Sequence, residues 1–302
     1  MAFFLYLAYF IVGYTGLVLF FYALTPISTK AGFVARSLAA YISLVICAIY
    51  GIVASIVLRA VGREQIAQWA TARAFKYIMG KTTGITFEVI DPKGILDTTR
   101  PAVIIGNHQT ELDVLMLGCM FPKYCSVTAK KSLKNVPFLG QFMSLSGTVF
   151  IDRKNTKDAR QVMAGAAAQM TKRKQSVFMF PEGTRTYAKE PELLPFKKGA
   201  FHLAVQAGVP IIPVVVANYS HVLYLKNLIF RSGKIPVKVL DPIPTTGLKT
   251  EDVDELTRST RELFLKEYVA LTQEAQHRPI AMPASGKNGV VRASGVEATL
   301  SG

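Results

Sequence analysis

Two stretches at the front of the chain carry no charge, and the pattern behind them is different in kind. Residues 2–25 and 37–58 contain no Asp, Glu, Lys or Arg. As helices rising about 1.5 Å per residue, each is long enough to cross a hydrocarbon core of roughly 30 Å. A cleaved leader would open on a basic segment and hold a shorter apolar run, and the first stretch fits neither feature. Two membrane helices within residues 1–62 are the expectation; a hairpin embedded in one leaflet satisfies the same apolar lengths. The connector 26–36 carries Lys30 and Arg36, while Arg59, Arg63, Arg73, Lys76 and Lys81 follow the second stretch. That heavier basic count puts the remainder of the chain, and its N-terminus, on the cytosolic side. Between Arg63 and Met79, the residues Ile66, Trp69, Ala70, Ala74 and Tyr77 recur at helical spacing, with Gly80 as a stop. This helix suits either a membrane surface or ordinary packing on a domain.

From Ile85 the apolar runs shorten and alternate with helical periods, the signature of an α/β domain. Strands are expected at 85–91, 102–106, 124–128, 148–151, 177–180, 211–217 and 237–240. The clearest helix runs from Thr156 to Lys174, with Ala159, Val162, Met163, Ala166, Ala167 and Met170 on one face and Asn155 as N-cap. Another, about Glu251 to Gln273, opens on acidic residues that suit a helix dipole. After Arg278, Pro, Ser, Gly and Ala dominate, which predicts a disordered tail over 278–302. The expected fold is therefore α/β, a mixed sheet flanked by helices over 63–277, preceded by two N-terminal membrane helices.

Composition changes this picture little. Half of the 302 residues are hydrophobic, and the excess sits in the first 62. The net charge of +15 invites a nucleic-acid partner, but the basic residues are spread without a nucleic-acid motif. Anionic lipid surfaces and phosphorylated small substrates account for the charge equally well. Cys47, Cys119 and Cys125 show neither zinc spacing nor a disulfide framework, and no metal site is expected. No G-x-S-x-G or P-loop motif occurs.

The candidate chemistry lies at strand ends. Asn107-His108-Gln109-Thr110-Glu111-Leu112-Asp113 follows an apolar run closed by Gly106 and precedes the helical spacing of Leu112, Leu115, Met116 and Met120. His108 and Asp113 are too far round a regular helix to share a face, so they meet only if His108 lies in the loop and Asp113 in the first turns. Asp113 would then accept from one imidazole nitrogen and leave the other free to take a proton. Glu111 is a rival carboxylate, and a polar loop capping a helix through Thr110 or Asn107 is the bland alternative. A second block, Phe180-Pro181-Glu182-Gly183-Thr184-Arg185, also follows an apolar run and brings backbone amides, a hydroxyl and a guanidinium together.

These two blocks, with Gly147 to Arg153 and Val209 to Val214, resemble in order and spacing the four motifs of the glycerolipid acyltransferases over about residues 100–217. Within that family, the fungal 1-acyl-glycerol-3-phosphate acyltransferases are the most similar group. The resemblance selects Asp113 over Glu111. It implies that His108 deprotonates the acceptor hydroxyl, and that Arg153, Glu182, Gly183, Thr184 and Arg185 form the acceptor site. Lys130 is a further phosphate candidate beside its reading as a solvated lysine. The implied activity is transfer of an acyl group from acyl-CoA to lysophosphatidic acid, without a cofactor, on a lipid bilayer of the endoplasmic reticulum. The alternatives are another lysophospholipid or glycerol 3-phosphate as acceptor, and a catalytically silent lipid-binding protein. The intact His108, Asp113, Glu182 and Arg185 argue against silence.

Overall fold

A computed structural model describes residues 2–152 and 156–283. The N-cap expected at Asn155, the Arg153 candidate and nearly all of the expected tail lie outside the described residues. The apolar front of the chain forms helices α1 (Ala2–Ala23) and α2 (Thr29–Ala60). Both are long and apolar enough to cross a membrane. The connector is shorter than the expected 26–36, because Ser28 accepts from the Ala31 amide and starts α2 before Lys30 and Arg36. Helix α1 lies almost wholly exposed, whereas α2 buries Ala35, Ala39, Ser43, Cys47, Gly51 and Ser55 against the rest of the chain.

Helix α3 (Ala67–Thr83) packs on α2 and runs through Gly80 rather than ending there. Gly80 instead permits close approach, since a Cβ would meet the Ile85 carbonyl at 3.3 Å. The stop is Gly84, which takes the left-handed conformation (φ 72°) that costs a glycine nothing. Trp69 lies on α3 with the Arg73 guanidinium 5.8 Å and the Lys123 ammonium 4.9 Å from its ring.

Seven strands follow in one sheet: β1 (Ile85–Ile90), β2 (Val103–Gly106), β3 (Cys125–Lys130), β4 (Val149–Ile151), β5 (Ser176–Met179), β6 (Ile211–Val216) and β9 (Gly233–Val239). Their order is β1-β9-β6-β2-β5-β3-β4, with β6 and β9 antiparallel and every other pair parallel. The sheet is mixed, as expected. A hairpin, β7 (Leu223–Tyr224) and β8 (Ile229–Phe230), interrupts the run between β6 and β9. Strands β2, β5 and β6 are buried on both faces, which is why they read as unbroken apolar runs rather than alternating ones. Ile104, Ile212, Val214 and Val216 face the core shared with α2, α3 and α5 (Asp113–Met120). Val103, Ile105, Ile211 and Val215 face the core shared with α7 (Thr156–Arg173), α8 (Gly199–Ala207) and α9 (Val253–Gln276). The short helices α4 (Ile95–Thr98) and α6 (Leu139–Leu145) fill connections.

Candidate active site

The C-terminal ends of β2, β5 and β6 come together at one edge of the sheet, the position where open α/β sheets place their sites. Strand β2 ends at Gly106, where a Cβ would meet the Phe178 ring at 2.9 Å. The loop that follows is clamped on two sides. Asn107 extends the ladder with its side chain, donating to the Val216 carbonyl and accepting from the Val216 amide, each at 2.9 Å. On the other side, the His108 amide donates to Glu182 Oε1 at 2.8 Å, and the Thr186 amide donates to the His108 carbonyl at 3.0 Å.

Within this clamp, His108 occupies the loop and Asp113 is the first residue of α5. Their side chains meet, with Nδ1 of His108 2.7 Å from Oδ2 of Asp113. The imidazole stacks on the Phe180 ring, centroids 4.0 Å apart and planes 13° from parallel. Asp113 is almost fully buried and takes two further donors. The Gln109 amide reaches Oδ2 and the Tyr219 hydroxyl reaches Oδ1, both at 2.7 Å. Its place at the start of a helix favours the negative charge as well. With the Gln109 amide and the Tyr219 hydroxyl donating to it, the carboxylate acts as an acceptor toward His108 as well, which assigns the imidazole proton to Nδ1. Nε2, which makes no hydrogen bond among the described residues, is left as the basic nitrogen. Burial holds the Tyr219 phenol far above its ordinary pKa, so it remains a donor to Asp113.

Glu182 is buried and commits both oxygens to main chain. Oε1 accepts from His108 and Oε2 from the Leu194 amide at 2.9 Å. Burial pushes its pKa up to about 7, against the pull of those two amides. Its carboxylate braces the His108 loop rather than facing a ligand. Gly183 adopts φ 71°, and a Cβ there would meet the Lys197 side chain at about 3.0 Å. Thr184 is exposed beside it. Arg185 is half-buried and donates from Nη1 to Glu111 Oε1 at 3.1 Å and to the Tyr187 hydroxyl at 3.2 Å. Glu111 thus engages Arg185 and Tyr187 while Asp113 engages His108. The Nε of Arg185 is buried without a hydrogen-bond partner among the described residues. Lys130 is exposed at the C-terminal end of β3, on the same edge of the sheet.

Tyr219 and the bracing contacts of Asn107 and Gln109 were not among the sequence candidates. Asn218-Tyr219-Ser220 follows an apolar strand just as Asn107-His108-Gln109 does, and that parallel is the signal in the sequence that points to Tyr219.

Residues 88–217 match the family model described as Acyltransferase. The 1-acyl-sn-glycerol-3-phosphate acyltransferase of Saccharomyces cerevisiae is 43% identical over 227 residues, covering 75% of this chain and 74% of that protein. The chain belongs to the acyltransferase family. An uncharacterised acyltransferase of Schizosaccharomyces pombe is 46% identical, covering 74% of this chain and 80% of the relative. The human 1-acyl-sn-glycerol-3-phosphate acyltransferase beta is 38% identical, covering 79% and 80%. Among solved structures, the 1-acyl-sn-glycerophosphate (LPA) acyltransferase PlsC of Thermotoga maritima superposes with a TM-score of 0.59 at 21% identity, over 89% of this chain and 99% of that one. That superposition establishes the shared fold.

Proposed function

We propose that this acyltransferase moves a fatty acyl group from acyl-CoA to lysophosphatidic acid, making phosphatidic acid. The observation that carries the reading is the His108–Asp113 contact at 2.7 Å with Nε2 left free. A thioester needs no protein nucleophile if the acceptor's own hydroxyl attacks it. Nε2 of His108 takes that hydroxyl's proton as the carbonyl carbon is attacked, a contribution of about 10²–10⁴ in rate. Asp113 steadies the imidazolium that results, as the acid does in a hydrolase triad. When the tetrahedral intermediate collapses, the thiolate of CoA leaves and recovers a proton from the imidazolium.

Arg185 grips the acceptor's phosphate in this reading, supported by its half-buried guanidinium beside the His108 loop, and Lys130 and Arg153 are further cations for the same role. Gly183 and Thr184 contribute a close backbone approach and a hydroxyl. Glu182 acts through the loop it braces. The naming of the S. cerevisiae and human relatives supports lysophosphatidic acid as acceptor. We assign residues 1–62 to a membrane anchor, 63–277 to the catalytic domain and 278–302 to a tail. The resemblance to fungal enzymes and the basic residues after α2 support the cytosolic face of the endoplasmic reticulum.

The test presents membranes containing the full chain with labelled acyl-CoA and a panel of lysolipids, beside a His108→Ala control. Label is expected in phosphatidic acid when lysophosphatidic acid is supplied, and in no product with the control. Near-normal turnover in His108→Ala would sink the mechanism. Preferred use of glycerol 3-phosphate or a lysolipid with a different headgroup would reassign the acceptor.

A further inference from the structure

The apolar hairpin holds a polar cavity lined by none of the residues of the candidate active site. Where α1 gives way to α2, a space of about 380 Å³ opens against the β8–β9 segment. Thr25, Thr29, Arg36, Arg231 and Ser232 line it, with the Phe230 side forming an apolar wall. Arg36 and Arg231, from distant parts of the chain, both line it, and no Asp or Glu does. Among the described residues neither arginine has a carboxylate within salt-bridge distance.

Arg36 is held for a purpose other than neutralisation. Its Nε donates to the Thr83 carbonyl at 3.1 Å, and Nη1 reaches the Phe230 and Gly32 carbonyls at 3.4 and 3.5 Å. Its guanidinium lies 5.6 Å from the centre of the Tyr22 ring. These contacts fix the fork and leave Nη2 without a bond among the described residues. Gly32 keeps the space open, since a Cβ would press on Thr25 and Arg36 at 3.1 and 3.2 Å. A fixed cation beside apolar helices, without a counter-charge, is costly unless an anion completes it. Planar guanidinium forks match phosphate oxygens, and basic pockets between membrane helices take lipid headgroups.

We propose that this cavity binds the phosphate of an anionic membrane phospholipid, separately from the acceptor at His108. The exposed apolar surface of α1 supplies the adjoining bed for that lipid's chains, including Tyr9, Phe10 and Leu19. A lipid so held would tie the turn of the hairpin to β8 and to the end of α3, the three elements that Arg36 already bridges.

The experiment uses the full-length protein in dodecyl maltoside micelles, titrated with phosphatidylglycerol, with phosphatidylcholine, and separately with inorganic phosphate. Binding is read by thermal stability and by native mass spectrometry. Phosphatidylglycerol is chosen because it is neither the substrate nor the product of the proposed reaction. It is expected to raise the melting temperature and remain bound, with phosphatidylcholine and inorganic phosphate far weaker. Arg231→Gln removes an exposed cation and should weaken phosphatidylglycerol binding by about 10- to 150-fold, the loss of one charge-assisted hydrogen bond. Arg36→Lys keeps the charge without the fork and should weaken it as well. Equal binding in Arg231→Gln and the unaltered chain would overturn the site. Inorganic phosphate acting as strongly as the lipid would overturn the lipid assignment. If Arg231→Gln left phosphatidylglycerol binding intact and raised the KM for lysophosphatidic acid, the cavity would belong to the acceptor instead.

Discussion

The Asp113 carboxylate has a donor on each oxygen, and the one from Tyr219 is the most informative to remove. Tyr219→Phe deletes the 2.7 Å bond to Oδ1 and strands the Thr110 amide, which donates to the same hydroxyl at 3.1 Å. A lost hydrogen bond to a charged group is worth about 1.5–3 kcal/mol. Because Tyr219 acts through Asp113, kcat should fall by roughly 10- to 150-fold with little change in KM. A raised KM at unchanged kcat would instead make Tyr219 part of the binding surface. Asp113→Asn should be severe, since an amide does not steady an imidazolium, while Glu111→Gln should perturb Arg185 and leave the base intact. If Glu111→Gln proved the more damaging change in kcat, the carboxylate assignment would be reversed. Glu182 gives a pH prediction. Its folded pKa, about 7, lies above the unfolded value of about 4.3, so the fold binds the extra proton between them. Its stabilising contribution is therefore fully present below about 4.3 and is lost as pH rises through about 7. Melting temperatures in detergent for the unaltered chain and Glu182→Gln should converge from pH 5 to pH 8; a gap widening with pH would show that the two amides outweigh burial. The His108–Asp113 pair was legible in the sequence because both partners lie within one loop and one helical turn. The bracing of that loop by Glu182 and Tyr219 was not, because no local period records which distant strand ends meet.

At the scale of elements, strand positions were legible because β2, β5 and β6 are buried on both faces and must be apolar throughout. The start of β9 was missed, since Lys234 and Pro236 break the run there, and the two-residue strands β7 and β8 are too short to show a period. The stop of α3 was misplaced because Gly80 serves helix packing, a use that sequence spacing does not separate from a cap. Gly118 is another such position, and it reaches the site. A Cβ there would meet the Lys76 amide and the Ala72 carbonyl of α3 at 2.8 and 2.9 Å. Both are backbone atoms, so Gly118→Ala must push α5 off α3. Overpacking of this kind costs typically about 1–3 kcal/mol. Since Asp113 opens α5, kcat should fall together with the melting temperature. Unchanged stability and unchanged kcat in Gly118→Ala would show that the crossing of α3 and α5 has slack.

Across the whole molecule, the hairpin and the catalytic domain are not separable bodies. Helix α2 runs along the domain, from Arg36 beside β8 and the end of α3 to Gly51, where a Cβ would meet the Phe142 ring of α6 at 2.5 Å. Cys47 belongs to the same core as Phe75, Met79 and Ile104. A helix about 48 Å long that spanned a bilayer would carry the sheet into the hydrocarbon with it, where exposed loop backbone has no partner. This packing favours the hairpin lying in one leaflet, its exposed α1 face against lipid and its domain outside. Ile27→Cys, in the exposed connector, should then be labelled from the cytosolic side of sealed vesicles; labelling only from the lumenal side would restore the spanning arrangement. The same packing predicts the fate of the domain without its anchor. A chain of residues 63–302 loses the surface that covers Phe75 and Met79, which are 8% and 3% exposed in the intact fold. Fully burying one such side chain is worth about 1.5–3 kcal/mol, and a domain held by a margin of about 5–15 kcal/mol does not readily absorb the loss of a whole face. The truncated chain should therefore aggregate or elute in the void volume on size exclusion, and should show no acyl transfer even when lysophosphatidic acid is supplied in detergent. Full-length protein should stay in the membrane pellet after alkaline carbonate and retain activity in the same detergent. A monodisperse, active 63–302 fragment would mean that α2 is only a tether and that the contact with α3 adds nothing to the fold.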